Sequence, residues 1–275
     1  MPVPLHTTGK ASFDHIYDRP DPREYYRRMS ELGYSIPDSA APFFQQQLRE
    51  YRASARVAVP TVLDIGCSYG VNAALLRFGS SVAELAESYA GTTDRDSALA
   101  LDKGRAEVPN VHARFLGMDA SRPALEYAAE AGLLDEVVHA DLESADPDED
   151  QREVLARADL VISTGCIGYV TEKTLVRVAT AHPRRRPWMA HFVLRMFDYG
   201  PVAAELAALG YRTEQVPGLH AQRRFASADE QAQVLKALAD KGIDTTGYEA
   251  EGSLYATLHL SRPLPEHSAD PEDHS

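Results

Sequence analysis

The chain has 275 residues, 44% of them hydrophobic, enough to bury one large core with attachments rather than two equal domains. A net charge of -13, from 28 basic and 41 acidic residues, repels a polyphosphate backbone and argues against nucleic acid as a partner. Two cysteines, Cys67 and Cys166, are too few for a disulfide scaffold or a zinc finger, and neither a secretion signal nor a bilayer-length apolar run is visible, so the expectation is a cytoplasmic protein with no membrane contact and no metal.

Residues 1–56 read as a helical N-terminal cap. In "RPDPREYYRRMSELGY", Asp21 is placed to cap a helix with Pro22 at its first position, and Tyr25, Met29 and Leu32 recur at helical spacing. A second helix is expected to follow Asp38 and Ser39 through "APFFQQQLREYRA". Aromatic residues on both helices suit either a cover over a cleft or ordinary packing, which is the commoner use of that spacing.

From Pro60 the pattern changes to short β-branched runs alternating with helices: "TVLDIG", "ARFLGMD", "EVVHADL", "DLVISTG" and "WMAHFVLRM". This alternation predicts an α/β fold over residues 57–262, with a mostly parallel sheet covered on both faces. "YRTEQVP" and "SLYATLHLS" lack such crossovers and suit an antiparallel pair at one edge, with 223–247 inserted between them; "SADEQAQVLKALADKG" there reads as a capped amphipathic helix ending at Gly242. The basic run Arg184 to Arg186, bracketed by prolines, reads as a solvated loop, and the acidic tail 263–275 as disordered.

The stretch "LDIGCSYGVNAALL" carries a strand through a tight bend into a helix. Gly66 and Gly70 there allow positive φ and close approach of a ligand, at the strand end where open parallel sheets hold theirs. A nicotinamide fingerprint fits poorly, because the glycine spacing is wrong and the acids about 20 positions later, Glu84 and Glu87, fall in a helical pattern.

Asp64, Gly66, Ser68 and Gly70 resemble motif I of the class I S-adenosylmethionine-dependent methyltransferases, whose usual form is Asp/Glu-x-Gly-x-Gly-x-Gly; Ser68 replaces the middle glycine. The resemblance spans roughly Val57 to Arg262 and implies a Rossmann-like sheet with S-adenosylmethionine as cofactor. It places Cys67 in the cofactor loop, Asp119 and Ala120 at the ribose, Asp141 and Leu142 at the adenine, and Ser163 in the fourth motif, beside the sulfonium and the acceptor. Asp64 is expected to orient the loop by accepting backbone hydrogen bonds. Cys67 and Cys166 also suit small packing residues. Asp64 and Asp119 lie 55 positions apart, which requires an insertion at about 80–112, either a surface addition or part of a lid.

For the chemistry, an acceptor must arrive unprotonated, in line and shielded from water. Tyr169, Tyr69 and His191 are the catalytic candidates: Tyr169 beside the sulfonium or holding an amine, His191 as a base, although a histidine inside a strand is more often a core residue. Arg195 binds a carboxylate or pairs with a buried acid. "STGCIGY" lacks the Asn/Asp-Pro-Pro-aromatic sequence of the family's DNA and amide-nitrogen methylating branches, so the expected substrate is a small molecule. "CSYGVNAALL" with "ISTGCIGYVTEKT" is also similar to methyltransferase-like proteins of bacterial natural-product pathways, including the azetidine-2-carboxylate synthases. That resemblance implies a cyclase that consumes S-adenosylmethionine alone and releases methylthioadenosine. Methyl transfer is the leading expectation, cyclisation the alternative, and a non-catalytic binding module the third.

Overall fold

The computed structural model describes residues 16, 18–106 and 110–265. Seven strands form one sheet: β1 (Thr61–Ile65), β2 (Arg114–Asp119), β3 (Glu136–His139), β4 (Leu160–Thr164), β5 (Trp188–Leu194), β6 (Tyr211–Arg224) and β7 (Ser253–Pro263). Their order is β3-β2-β1-β4-β5-β7-β6. β1 to β5 pair in parallel, and β7 runs antiparallel to both β5 and β6. This is the Rossmann-like, mostly parallel sheet that the motifs implied, with β7 and β6 as the expected antiparallel pair at one edge.

Among the described residues the helices are α1 (Arg23–Glu31), α2 (Ile36–Ala55), α3 (Val71–Phe78), α4 (Val82–Ala90), α5 (Arg95–Ala106), α6 (Arg122–Glu130), α7 (Glu149–Leu155), α8 (Glu172–Thr180), α9 (Gly200–Ala208) and α10 (Ala228–Asp240). Strand residues alternate between two cores. Val62, Phe115, Ile162 and Phe192 pack on the face with α1 to α6 and α10, and Leu63, Leu116, Val161 and Val193 on the face with α7 to α9. Burial on both sides explains why these strands read as apolar runs rather than alternating ones.

Several boundaries move. Pro22, not Asp21, is the N-cap of α1, yet the Asp21 carboxylate accepts from the Arg23 amide at 3.1 Å and so still satisfies one open donor. α2 begins at Ile36, ahead of Asp38, which instead accepts from the Val82 amide at the start of α4. β6 continues to Arg224, so the insertion between β6 and β7 is shorter at its start. β7 reaches Pro263, and the acidic tail from 266 lies outside the described residues.

The insertion after α3 forms α4 and α5 and acts as a buttress. The Tyr26 and Tyr89 rings stack α1 against α4 at 4.8 Å, and buried Asp102 on α5 accepts from the hydroxyls of Tyr89 and Tyr127 at 2.7 and 2.8 Å. None of its described residues lines the cavity described below; it holds α1, which does line it. No helix among the described residues is long and apolar enough to cross a membrane.

Candidate active site

At the carboxyl ends of β1 to β4 lies a cavity of about 520 Å³. β1 and β4 are neighbours whose chains continue toward opposite edges, to β2 and to β5, which is the switch point where sheets of this kind leave a crevice.

The loop after β1 is built on three left-handed residues: Gly66 (φ 68°), Ser68 (φ 50°) and Gly70 (φ 74°). A Cβ on Gly66 would stand 2.7 Å from the Cβ of Cys166, so glycine is required there by both conformation and space. Ser68 takes the same conformation with a side chain, at a cost of about 1–2 kcal/mol for an L-residue. Its hydroxyl oxygen is enclosed at the cavity wall and has no hydrogen-bond partner among the described residues.

Asp119 closes the loop onto β2. Its Oδ2 accepts from the Ser68 amide at 2.8 Å and its Oδ1 from the Ser121 amide at 2.9 Å. Burial raises its pKa against the lowering by these amides. A carboxylate has about four acceptor positions, so the two amides leave capacity for a ligand. Asp141 sits after β3 and is held by the Glu143 amide at 3.0 Å and the Ser144 hydroxyl, which keep its carboxyl below the usual range. Glu143 lines the cavity beside it. Burial pushes its pKa up, but hydrogen bonds from Thr171 and Thr174 outweigh this and hold it low, fastening the β3 loop to the start of α8.

Of the residues chosen from sequence, Gly66, Cys67, Ser68, Asp119, Ala120, Asp141, Leu142 and Tyr169 line this one cavity. Five do not. Gly70 caps α3 and packs near Leu133, where a Cβ would stand 3.3 Å from a neighbour. Asp64 is fully buried beneath the loop, and its partner is a side chain rather than backbone: Nδ2 of Asn72 donates to its two oxygens at 3.1 and 3.2 Å and to Thr164 Oγ1 at 3.1 Å. Burial raises the Asp64 pKa to about 8 against the pull of Asn72. Tyr69 points toward the cap, where its hydroxyl donates to the carbonyls of Ile16 and Arg19 at 3.0 and 2.9 Å.

Ser163 and His191 fall on the face of the sheet with α7 to α9. They are opposite each other in the β4–β5 register, joined through Ser163 Oγ and His191 Nδ1 at 2.8 Å, and both fully buried. Burial lowers the His191 pKa to about 3, so at neutral pH it is an uncharged and weakly basic core residue, and it does not line the cavity, which argues against it as the base. Arg195 pairs with buried Glu249 at 2.6 Å, the second of its two expected roles. Neither cysteine forms a disulfide among the described residues, and Cys166 Sγ donates to the Ile65 carbonyl at 3.2 Å.

Residues that the motifs did not single out complete the wall. Tyr25, Met29 and Tyr34 arrive from the cap, Asn72 from α3, Thr164 from β4, and Gln222 and Arg223 from β6. Burial raises the Tyr34 hydroxyl to about 12, opposed by hydrogen bonds with Thr164 and Tyr25. Arg223 forms a two-point pair with Glu230 on α10 at 2.7 and 2.9 Å, both side chains buried. Asn72 and Glu143 were within reach of the sequence, being neighbours of motif positions. The cap and β6 residues are brought in by tertiary packing alone.

No protein-family model matches the chain, and no curated protein matches it. Among solved structures it is similar to the N-methyltransferase NodS from Bradyrhizobium japonicum WM9 in complex with S-adenosyl-L-homocysteine, at 13% identity and a TM-score of 0.42, over 91% of this chain and 96% of that one. It is also similar to magnesium protoporphyrin IX methyltransferase (ChlM) from Synechocystis PCC 6803 with bound SAM, at 12% identity and a TM-score of 0.39, over 81% and 79%. A third is a SAM-dependent methyltransferase from Geobacter sulfurreducens in complex with S-adenosyl-L-homocysteine, at 16% identity and a TM-score of 0.33, over 80% and 91%.

Proposed function

We propose that this protein binds S-adenosylmethionine in the cavity and directs methyl transfer to a small molecule. One observation carries the reading: four successive strand ends, at Gly66 to Ser68, Asp119, Asp141 and Thr164 to Tyr169, converge on a single half-open cavity. In this reading Asp119 accepts the ribose hydroxyls, and Asp141 and Leu142 flank the adenine. The residues suit such a group, because a carboxylate and an enclosed, unpartnered Ser68 hydroxyl face the same space above a loop of positive φ.

Once bound, the sulfonium supplies a carbon that is already electrophilic. The chain's own work is then alignment and exclusion of water. Tyr25, Met29 and Tyr34 close the side toward the cap, and Tyr169 stands after β4 where it would hold an acceptor. Tyr69 acts one step removed, fixing the segment at Ile16 and Arg19 beside the cavity. A volume of about 520 Å³ falls in the range of small-molecule sites.

The same closure favours a second reading, in which cofactor and substrate are one molecule and the α-amine attacks its own γ-carbon, yielding azetidine-2-carboxylate and methylthioadenosine. The cavity that must hold cofactor and acceptor together is bounded by the aromatic cap and by the paired Arg223 and Glu230. Incubation with S-adenosylmethionine alone separates the readings. Methylthioadenosine with a cyclic amino acid supports the cyclase, and S-adenosylhomocysteine formed only after a small acceptor is added supports methyl transfer. Binding without turnover supports a non-catalytic module. No calorimetric binding of S-adenosylmethionine would remove all three.

A further inference from the structure

We infer that Gln222 is a recognition residue for an amino group at the end of the cavity remote from the nucleoside, an inference that rests on the reading above. β6 and β7 lose register between Ala221 and Arg223: Ala221 pairs with Tyr255 and Arg223 with Leu254, leaving Gln222 as the extra residue of a bulge. In regular strand the side chains of Gln222 and Arg223 would point to opposite faces. Here both line the cavity, at 2% and 3% exposure, as a bulge permits when it re-aims a side chain. The bulge is pinned from outside, because the Gln222 carbonyl accepts from the Ser35 amide at 2.9 Å.

The side chain of Gln222 is an enclosed amide whose Oε1 accepts no hydrogen bond from any described residue. Leaving such an acceptor unpaired costs about 1–3 kcal/mol, which a ligand donor would recover. The chemistry around it selects the donor. Arg223 is neutralised by Glu230, so among the described residues the wall offers no uncompensated positive charge for a carboxylate. Tyr25 and Tyr34 add aromatic surface, which suits an ammonium or amine. β6 is at the opposite edge of the sheet from β3 and beyond the switch point from β2, so this subsite faces the part of the ligand that is not nucleoside.

The amino group has two possible sources, the amino-acid portion of S-adenosylmethionine or a separate amine acceptor. The test compares calorimetric affinities of S-adenosylmethionine, methylthioadenosine and n-butylamine, with butyrate as the oppositely charged control, for the full chain and for Gln222→Met. About a ten-fold loss for S-adenosylmethionine with methylthioadenosine unchanged supports the proposal and assigns the cofactor's own amine. An unchanged S-adenosylmethionine affinity with about a ten-fold loss for n-butylamine supports it and assigns a separate acceptor. Equal affinities in the two proteins for every probe, a parallel loss of methylthioadenosine binding, or tighter binding of butyrate than of n-butylamine overturns it. Should Gln222→Met fail to fold, Gln222→Asn, which keeps the amide but shortens its reach, reads out the same ratios. If the unaltered chain binds neither nucleoside, the cofactor reading falls, while the n-butylamine and butyrate arms still decide the role of Gln222.

Discussion

The Ser68 amide donates to Asp119 Oδ2 at 2.8 Å, so the loop after β1 and the end of β2 form one rigid corner of the cavity. The carboxylate proposed to bind the ligand and the loop backbone proposed to approach it are therefore set by a single contact. Asp119→Ala removes both the proposed ribose acceptor and the tie to Ser68. Its affinity for S-adenosylmethionine is expected to fall at least about ten-fold. Calorimetry checks this, and an unchanged affinity would take Asp119 out of the site.

Ser68 holds a left-handed conformation while its hydroxyl has no partner among the described residues, so Ser68→Gly forfeits no hydrogen bond seen there and relieves backbone strain. The gain is partly offset by the freedom glycine adds to the unfolded chain. A net rise of about 0.5–1 kcal/mol corresponds to roughly 1–2 °C in Tm for a domain of this size. A β-branched residue at the same place, Ser68→Val, is expected to lower Tm. Thermal unfolding followed by circular dichroism measures both, and a lower Tm for Ser68→Gly would refute the strain argument.

Much of this corner was legible in the sequence, for a physical reason. A parallel strand buried on both faces must be a short apolar run, and a backbone that turns sharply under a ligand needs positive φ, so "TVLDIG" and the glycine spacing mark β1 and its loop directly. The resemblance then located Asp119 and Asp141. What failed was facing: in "WMAHFVLRM" both neighbours of His191 are apolar, and with both faces buried the pattern gives no clue to which core His191 enters. Gln222 and Arg223 were invisible because a bulge cancels the two-residue period on which strand reading depends. Tyr25 and Met29 carried a helical pattern indistinguishable from ordinary packing, and the buttress of α4 and α5, with the bonds linking Ser35 and Leu32 to β6, sets the cap over the cavity.

Buried Asp64 and His191 should leave opposite signatures in stability against pH. The folded pKa of Asp64 is raised to about 8 from 3.8, so its contribution is fully present below pH 3.8 and is lost as pH rises toward 8. The folded pKa of His191 is lowered to about 3 from 6.5, so its contribution is present above pH 6.5 and is lost as pH falls toward 3. Each fully buried group contributes a slope of about 1.4 kcal/mol per pH unit inside its window. Urea midpoints between pH 6.5 and 8 should fall less steeply in Asp64→Asn than in the unaltered protein. Parallel curves would show that Asp64 is ionised in the fold.

Glu230 neutralises Arg223 in a site with almost no solvent, and it also accepts from the Ala226 amide at 2.8 Å. Glu230→Gln strands a buried guanidinium charge and is expected to cost about 3–5 kcal/mol. Adding Arg223→Met should restore most of that loss, since removing both charges also removes the desolvation penalty. Denaturant unfolding of the two single variants and the double variant measures the coupling. Additive effects would show that the pair is not a unit.

The reversal of β7 has a practical side. Because β6 runs with β5 and β7 runs back, the chain delivers Gln222 to the mouth and then leaves Pro263 at the far rim of the sheet, beside Tyr211. A surface attachment or fused reporter joined beyond that strand would project away from the opening. A sensor chip loaded through that end would present the mouth to the flowing solution.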